Sequence, residues 1–93
     1  MERLSGSEID ERLAVLAEWR LEGDSIARDV ALADFAAAIA FVERVAALAE
    51  SADHHPDILI HAYKHVRLTL TTHSAGGLTD RDFTLARSID AIS

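Results

Sequence analysis

At 93 residues the chain fits one domain, expected to span 1–93, and leaves no room for a second. A domain of that size buries only about 60–65% of its unfolded surface, so self-association would help it. Apolar residues at 49% against 27% charged exclude a disordered chain. A net charge of −7 with a pI of about 5.0 argues against a nucleic-acid partner, which needs a basic face. With no cysteine there is no disulfide framework and no thiolate chemistry. The N-terminus lacks an apolar stretch of signal-peptide length and no run reaches ~18 apolar residues, so no membrane partner and a cytoplasmic location are expected.

Ser7, with Asp10 three residues on, reads as the cap of a first amphipathic helix over 8–17 carrying Ile9, Leu13 and Leu16. Gly23-Asp24 is a turn dipeptide between two short runs of strand character, which predicts a hairpin whose second arm alternates through Ile26, Arg28, Val30 and Leu32. Asp34 caps a long alanine-rich helix over 35–50. That helix carries two apolar stripes, Phe35-Ile39-Val42-Ala46-Ala49 and Phe41-Val45-Leu48. A helix facing only its own sheet needs one stripe, so the second points to contact with another subunit or to deep burial.

After Asp53-His54-His55-Pro56 the period changes to two. Residues 57–62 read as a strand, joined through Ala62-Tyr63-Lys64 to a second strand. Val66, Leu68 and Leu70 lie on one side of it, with Arg67, Thr69, Thr71 and His73 on the other. Ser74-Ala75-Gly76-Gly77 reads as a flexible loop, and Thr79 with Asp82 forms a capping box into a last helix facing the core with Leu85, Ile89 and Ile92. The order helix, two strands, helix, two strands, helix predicts an α+β fold: a four-stranded antiparallel sheet with three helices packed on one face.

No dinucleotide fingerprint, Walker loop, nucleophile elbow or zinc-finger spacing occurs, which leaves histidine placement as the chemical signal. All five histidines lie between residues 54 and 73. Pro56 favours extended geometry before it, so the His54 and His55 rings should point opposite ways. His73 is expected at the end of a strand, beside the glycine loop, a common position for a site. Taken singly, each is as readily an incidental polar residue. His61 and His65 have helical ligand spacing but straddle a strand connection, and no glutamate or cysteine completes a zinc set there, so no metal is expected.

Together, Glu50, Asp53-His54-His55-Pro56, Tyr63, Thr71-Thr72-His73, Gly77-Leu78-Thr79 and Arg81-Asp82 resemble the pterin-4a-carbinolamine dehydratase family, and Trp19 with Leu21-Glu22-Gly23 extends the likeness over nearly the whole chain. The resemblance implies the same fold and conversion of 4a-hydroxytetrahydrobiopterin to quinonoid dihydrobiopterin and water. It implies no cofactor. It also implies an acid/base pair of His54 and His73, and His55 as the third catalytic histidine, mainly orienting the pterin. Glu50, Asp53, Pro56, Thr72, Ser74, Ala75 and Arg81 match substrate-binding positions. Which histidine is acid, and which pterin is native, stays open. The implied partners are a small-molecule pterin, a second copy of the chain in a homodimer or homotetramer, and an aromatic amino-acid hydroxylase acting alongside. An alternative is a non-catalytic role in dimerisation, assembly or transcriptional coactivation on the same fold. The stretch 57–63 is more aliphatic than in animal relatives, and His61 and His65 have no family counterpart and read as surface residues.

Overall fold

The computed structural model describes residues 2–93, in the order α1 (Gly6–Leu13), β1 (Arg20–Glu22), β2 (Ser25–Ala31), α2 (Phe35–Ala52), β3 (Asp57–His61), β4 (His65–Leu70), a 3-10 turn (His73–Ala75) and α3 (Asp80–Ile92). The strands form one antiparallel sheet in the order β1-β2-β4-β3. With its three helices this is the expected α+β architecture.

The first helix begins two residues earlier than expected. Ser5, not Ser7, is the N-cap, and its hydroxyl accepts from Glu8 N while the Glu8 carboxylate accepts from Ser5 N at 2.9 Å. The Ser5 backbone N–H first, and the Ser5 hydroxyl beside it, hold the Glu8 carboxyl below its ordinary value. Leu4 N donates to Leu78 O at 2.8 Å, so a tertiary contact brings the chain in just ahead of Ser5. The helix also stops at Leu13 rather than 17. Successive turns from Leu13 to Leu16 and from Leu16 to Trp19 then drop Leu16 and Trp19 into the core.

Gly23-Asp24 forms the expected two-residue hairpin loop between Glu22 and Ser25, with Gly23 at φ 59°, a conformation the tight turn requires and a side chain would resist. Ile26, Arg28 and Val30 pair across from Leu70, Leu68 and Val66 and share the inner face. Arg28 is the charge on that face, and it donates to Asp90 Oδ1 of α3 at 2.6 Å. Trp19 Nε1 donates to the same oxygen at 2.9 Å, which ties α3 to β2 and to the segment after α1. The outer face carries Asp29 between Arg67 and Arg20, each 2.9 Å away.

In α2 the buried positions are Ala38, Phe41, Val45 and Ala49, a helical face laid on the sheet. The stripe that enters the core is therefore the one containing Phe41 and Val45. Phe35 and Ile39, at the head of the other, stay 54% and 37% exposed. The core also takes Val66, Leu68 and Leu70 from β4 and Phe83, Leu85, Ala86 and Ile89 from α3. Among the described residues no helix is long and apolar enough to cross a membrane.

Candidate functional site

The end of α2 sets the first two histidines. Asp53 closes the helix in the left-handed conformation (φ 49°, ψ 44°), and His54 N still donates to Ala49 O at 3.1 Å. The chain then leaves the helix abruptly and sends the two neighbouring rings into opposite environments, as the extended reading of the segment before Pro56 expected. His54 is buried (8% exposed) and His55 is exposed.

His54 Nε2 lies 2.5 Å from Asp82 Oδ1. Asp82 is fully buried, and its other oxygen accepts from Thr72 Oγ1 at 2.8 Å and from Thr79 N at 3.0 Å. Thr79 Oγ1 is 2.8 Å from Thr72 Oγ1 and accepts from Arg81 N. A carboxylate can only accept, so His54 Nε2 carries a hydrogen and Thr72 directs its hydroxyl hydrogen at Asp82, which leaves Thr79 donating to Thr72. Both Asp82 oxygens and both threonine hydroxyls of this buried set then have partners. Nδ1 remains the unused nitrogen of His54, and it is not sealed from solvent. His55 Nε2 is likewise 2.5 Å from a carboxylate oxygen, Glu50 Oε2 one helical turn back, but this pair is in water.

His73 differs from the expectation that it ends a strand. β4 stops at Leu70, and His73 opens the 3-10 turn. The segment expected to be a flexible loop is closed by a two-way backbone bridge, Thr72 N to Gly77 O at 3.2 Å and Gly77 N to Thr72 O at 3.3 Å. Gly76 turns the chain at φ 74°. Gly77 lies against the Arg3 side chain, where a Cβ would meet Arg3 Cδ at 2.5 Å, so the N-terminal segment packs directly on this turn.

One cavity of about 270 Å³ is lined by Asp53, His54, His55, Thr71, Thr72, His73, Ser74 and Arg81. All three expected catalytic histidines are brought together there, with four of the expected binding residues. Glu50, Pro56 and Ala75 do not line it. Glu50 reaches it only through His55. Arg81 stands in the first turn of α3, where a cation is unfavourable, but its guanidinium reaches across to the C-terminal carbonyls of α2, donating to Asp53 O at 2.5 Å and Ala52 O at 3.3 Å. At that helix end a positive charge is favourable, which resolves the conflict. Thr71 is an addition to the expected set, as are Asp82 and Thr79 in the network behind His54. His61 and His65 stack at 5.5 Å between ring centroids where β3 and β4 join, and line no part of the cavity. Among the described residues no three metal-ligating side chains cluster.

The family model for pterin 4 alpha carbinolamine dehydratase matches residues 2–92. A curated protein of Chloroflexus aurantiacus provisionally named pterin-4-alpha-carbinolamine dehydratase is 60% identical over 92 residues, 99% of this chain and 98% of its own length. A solved structure from Brucella melitensis, described as a transcriptional coactivator/pterin dehydratase, is similar at a TM-score of 0.91 and 40% identity, covering 98% of both chains. A pterin dehydratase-like protein identified as a RuBisCO assembly factor in the alpha-carboxysome is similar at a TM-score of 0.67 and 27% identity, over 81% of this chain and 88% of its own.

Proposed function

Since this chain belongs to the pterin-4a-carbinolamine dehydratase family, we propose that it is a hydro-lyase that dehydrates a 4a-hydroxytetrahydropterin to the quinonoid dihydropterin, acting as one domain over residues 1–93. The reaction breaks the C4a–O bond and removes a ring N–H proton. The departing hydroxyl takes one proton and leaves as water, and the ring nitrogen gives one up, so the balance needs no oxidant or reductant. One group donates while another accepts, and both tasks suit side chains that titrate near neutrality.

The observation that carries this reading is His54, fixed through Nε2 by buried Asp82 and sharing one cavity with His73. Fixing Nε2 by a carboxylate sets the tautomer and ring orientation, so that Nδ1 is the nitrogen offered for proton transfer. His54 and His73 form the acid/base pair, with either able to take either role. His55, with Glu50 behind it, binds and orients the pterin. Thr72 and Ser74 flank His73 on the cavity wall, and Arg81, bonded to Asp53 O, lines it as well. Pro56 and Ala75 support the turns from which the histidines project. The product is the pterin needed for recycling alongside an aromatic amino-acid hydroxylase in the cytoplasm.

The exposed Phe35-Ile39 face of α2 supports a second element of the proposal, that copies of the chain associate through this helix as a homodimer or homotetramer. Light scattering at micromolar concentration tests it, and a monomer would refute it. The catalytic proposal is tested by following chemically generated 4a-hydroxytetrahydropterin at neutral pH with and without the protein. Faster disappearance supports dehydration, and an unchanged rate rejects it.

A further inference from the structure

A second, larger cavity of about 520 Å³ runs between α2 and α3, lined by Leu48, Ser51 and Ala52 on one side and Asp80, Thr84, Leu85 and Ser88 on the other. His54 and Arg81 complete its wall, and both also line the histidine cavity. The two spaces are therefore adjacent, separated only by the ring of His54 and by the Arg81 arm that reaches to the end of α2. Sites that enclose a small molecule usually measure roughly 300–1,000 Å³. At about 270 Å³ the histidine cavity lies just below that range, and the adjoining groove is nearly twice as large.

We infer that the α2–α3 groove holds the substituent carried on the reduced ring of the pterin, and that the groove sets which pterin is preferred. The inference rests on the pterin reading of the histidine cavity. Leu48 and Leu85 give the groove an apolar lining. Ser51, Thr84 and Ser88 add hydroxyls, of which Thr84 accepts from Arg87 and Ser88 donates to Thr84 O. Asp80 adds a carboxylate with one oxygen held by Arg12 at 2.8 Å. Both the C–H faces and the hydroxyls of a short polyhydroxyalkyl chain therefore find partners, the latter in the remaining lone pairs and hydroxyl hydrogens. Ser51 and Thr84 come from opposite helices and are themselves exposed, so each can be enlarged without disturbing the core.

The test uses two stable reduced pterins that differ in the substituent, 7,8-dihydrobiopterin and 6-methyl-7,8-dihydropterin, with Kd measured by fluorescence. The full chain should bind the dihydroxypropyl compound at least ~10-fold more tightly, the discrimination a few buried groups supply. Thr84→Phe fills the groove from α3 and Ser51→Phe fills it from α2. Each should erase the preference while moving the Kd of the methyl compound by no more than about twofold, the scale of a neutral surface change. Equal affinities in the unsubstituted protein, or a preference that survives both fillings, would overturn the groove. Turnover of the corresponding carbinolamines is followed in parallel. Discriminating binding without turnover would overturn the dehydratase reading and uphold the groove, so the two failures are distinguishable.

Discussion

His54 and His55 are neighbours in the chain, and each sets Nε2 2.5 Å from a carboxylate oxygen, yet the two pairs are physically unlike. The His54–Asp82 side chains are 9% and 0% exposed, whereas those of His55 and Glu50 are 58% and 76% exposed. In the first pair water is excluded, two threonine groups complete the acceptor's shell, and the ring has one orientation. In the second, solvent screens the attraction, and holding two exposed side chains in one geometry costs them rotamer freedom. An ion-pair distance therefore says little about the work a histidine does until its surroundings are known. The buried pair suits a group whose proton must move along a set direction, and the exposed pair suits one that meets and guides a ligand.

The largest expected effect comes from breaking the buried pair. Asp82→Ala strands His54 and Thr72 without their acceptor and removes one half of the capping box on α3, the bond from Thr79 N. It should cost about 3–5 kcal/mol in stability, measured by urea unfolding, and at least ~100-fold in dehydration rate. Asp82→Asn keeps the shape, so it separates the two losses: stability should recover in part while the rate stays low. Thr72→Val comes next. It deletes one donor to Asp82 and the acceptor for Thr79, and should cost about 1–3 kcal/mol by the same measurement. Glu50→Gln lies at the small end, within about 0–1 kcal/mol, since the pair is solvated. A stability loss for Glu50→Gln matching that of Asp82→Asn would erase the contrast between the two pairs.

How much of this could be read from the chain depends on the range of each interaction. The strand pairs, the Gly23-Asp24 hairpin and the Thr79–Asp82 capping box are local patterns, and each stands as expected. Membership of His54, His55 and His73 in one cavity was legible through family resemblance, because no single spacing carries it. Asp82 shows the limit. As a cap residue it was evident three positions after Thr79, but its contact with His54 spans 28 residues and exists only once α2 and α3 pack. The two stripes of α2 were also indistinguishable by periodicity, since both are apolar and only the sheet chooses between them. Ser5 and Ser7 are equally good caps on residue type, and the bond from Leu4 to Leu78, far away in sequence, accompanies the choice of Ser5.

The outer face of the sheet offers the mildest test. Asp29 accepts from Arg67 and, with Arg20 also beside it, its carboxyl is held below the ordinary value of 3.8. A depressed carboxylate contributes stability that is fully present above its unfolded pKa and is lost as pH falls through the lower folded value. Asp29→Asn should therefore slightly reduce stability at neutral pH and flatten the loss of stability below about pH 4. Chemical unfolding at a series of pH values checks it, and an unchanged acid limb would remove this pair from the account.

The most direct measurement compares dehydration of 4a-hydroxytetrahydropterin by the unsubstituted chain, His54→Ala and His55→Ala, with kcat and KM resolved at neutral pH. We predict that His54→Ala lowers kcat by at least ~100-fold, whereas His55→Ala acts chiefly by raising KM. A kcat for His54→Ala close to that of the unsubstituted chain would contradict the assignment of proton transfer to the buried histidine.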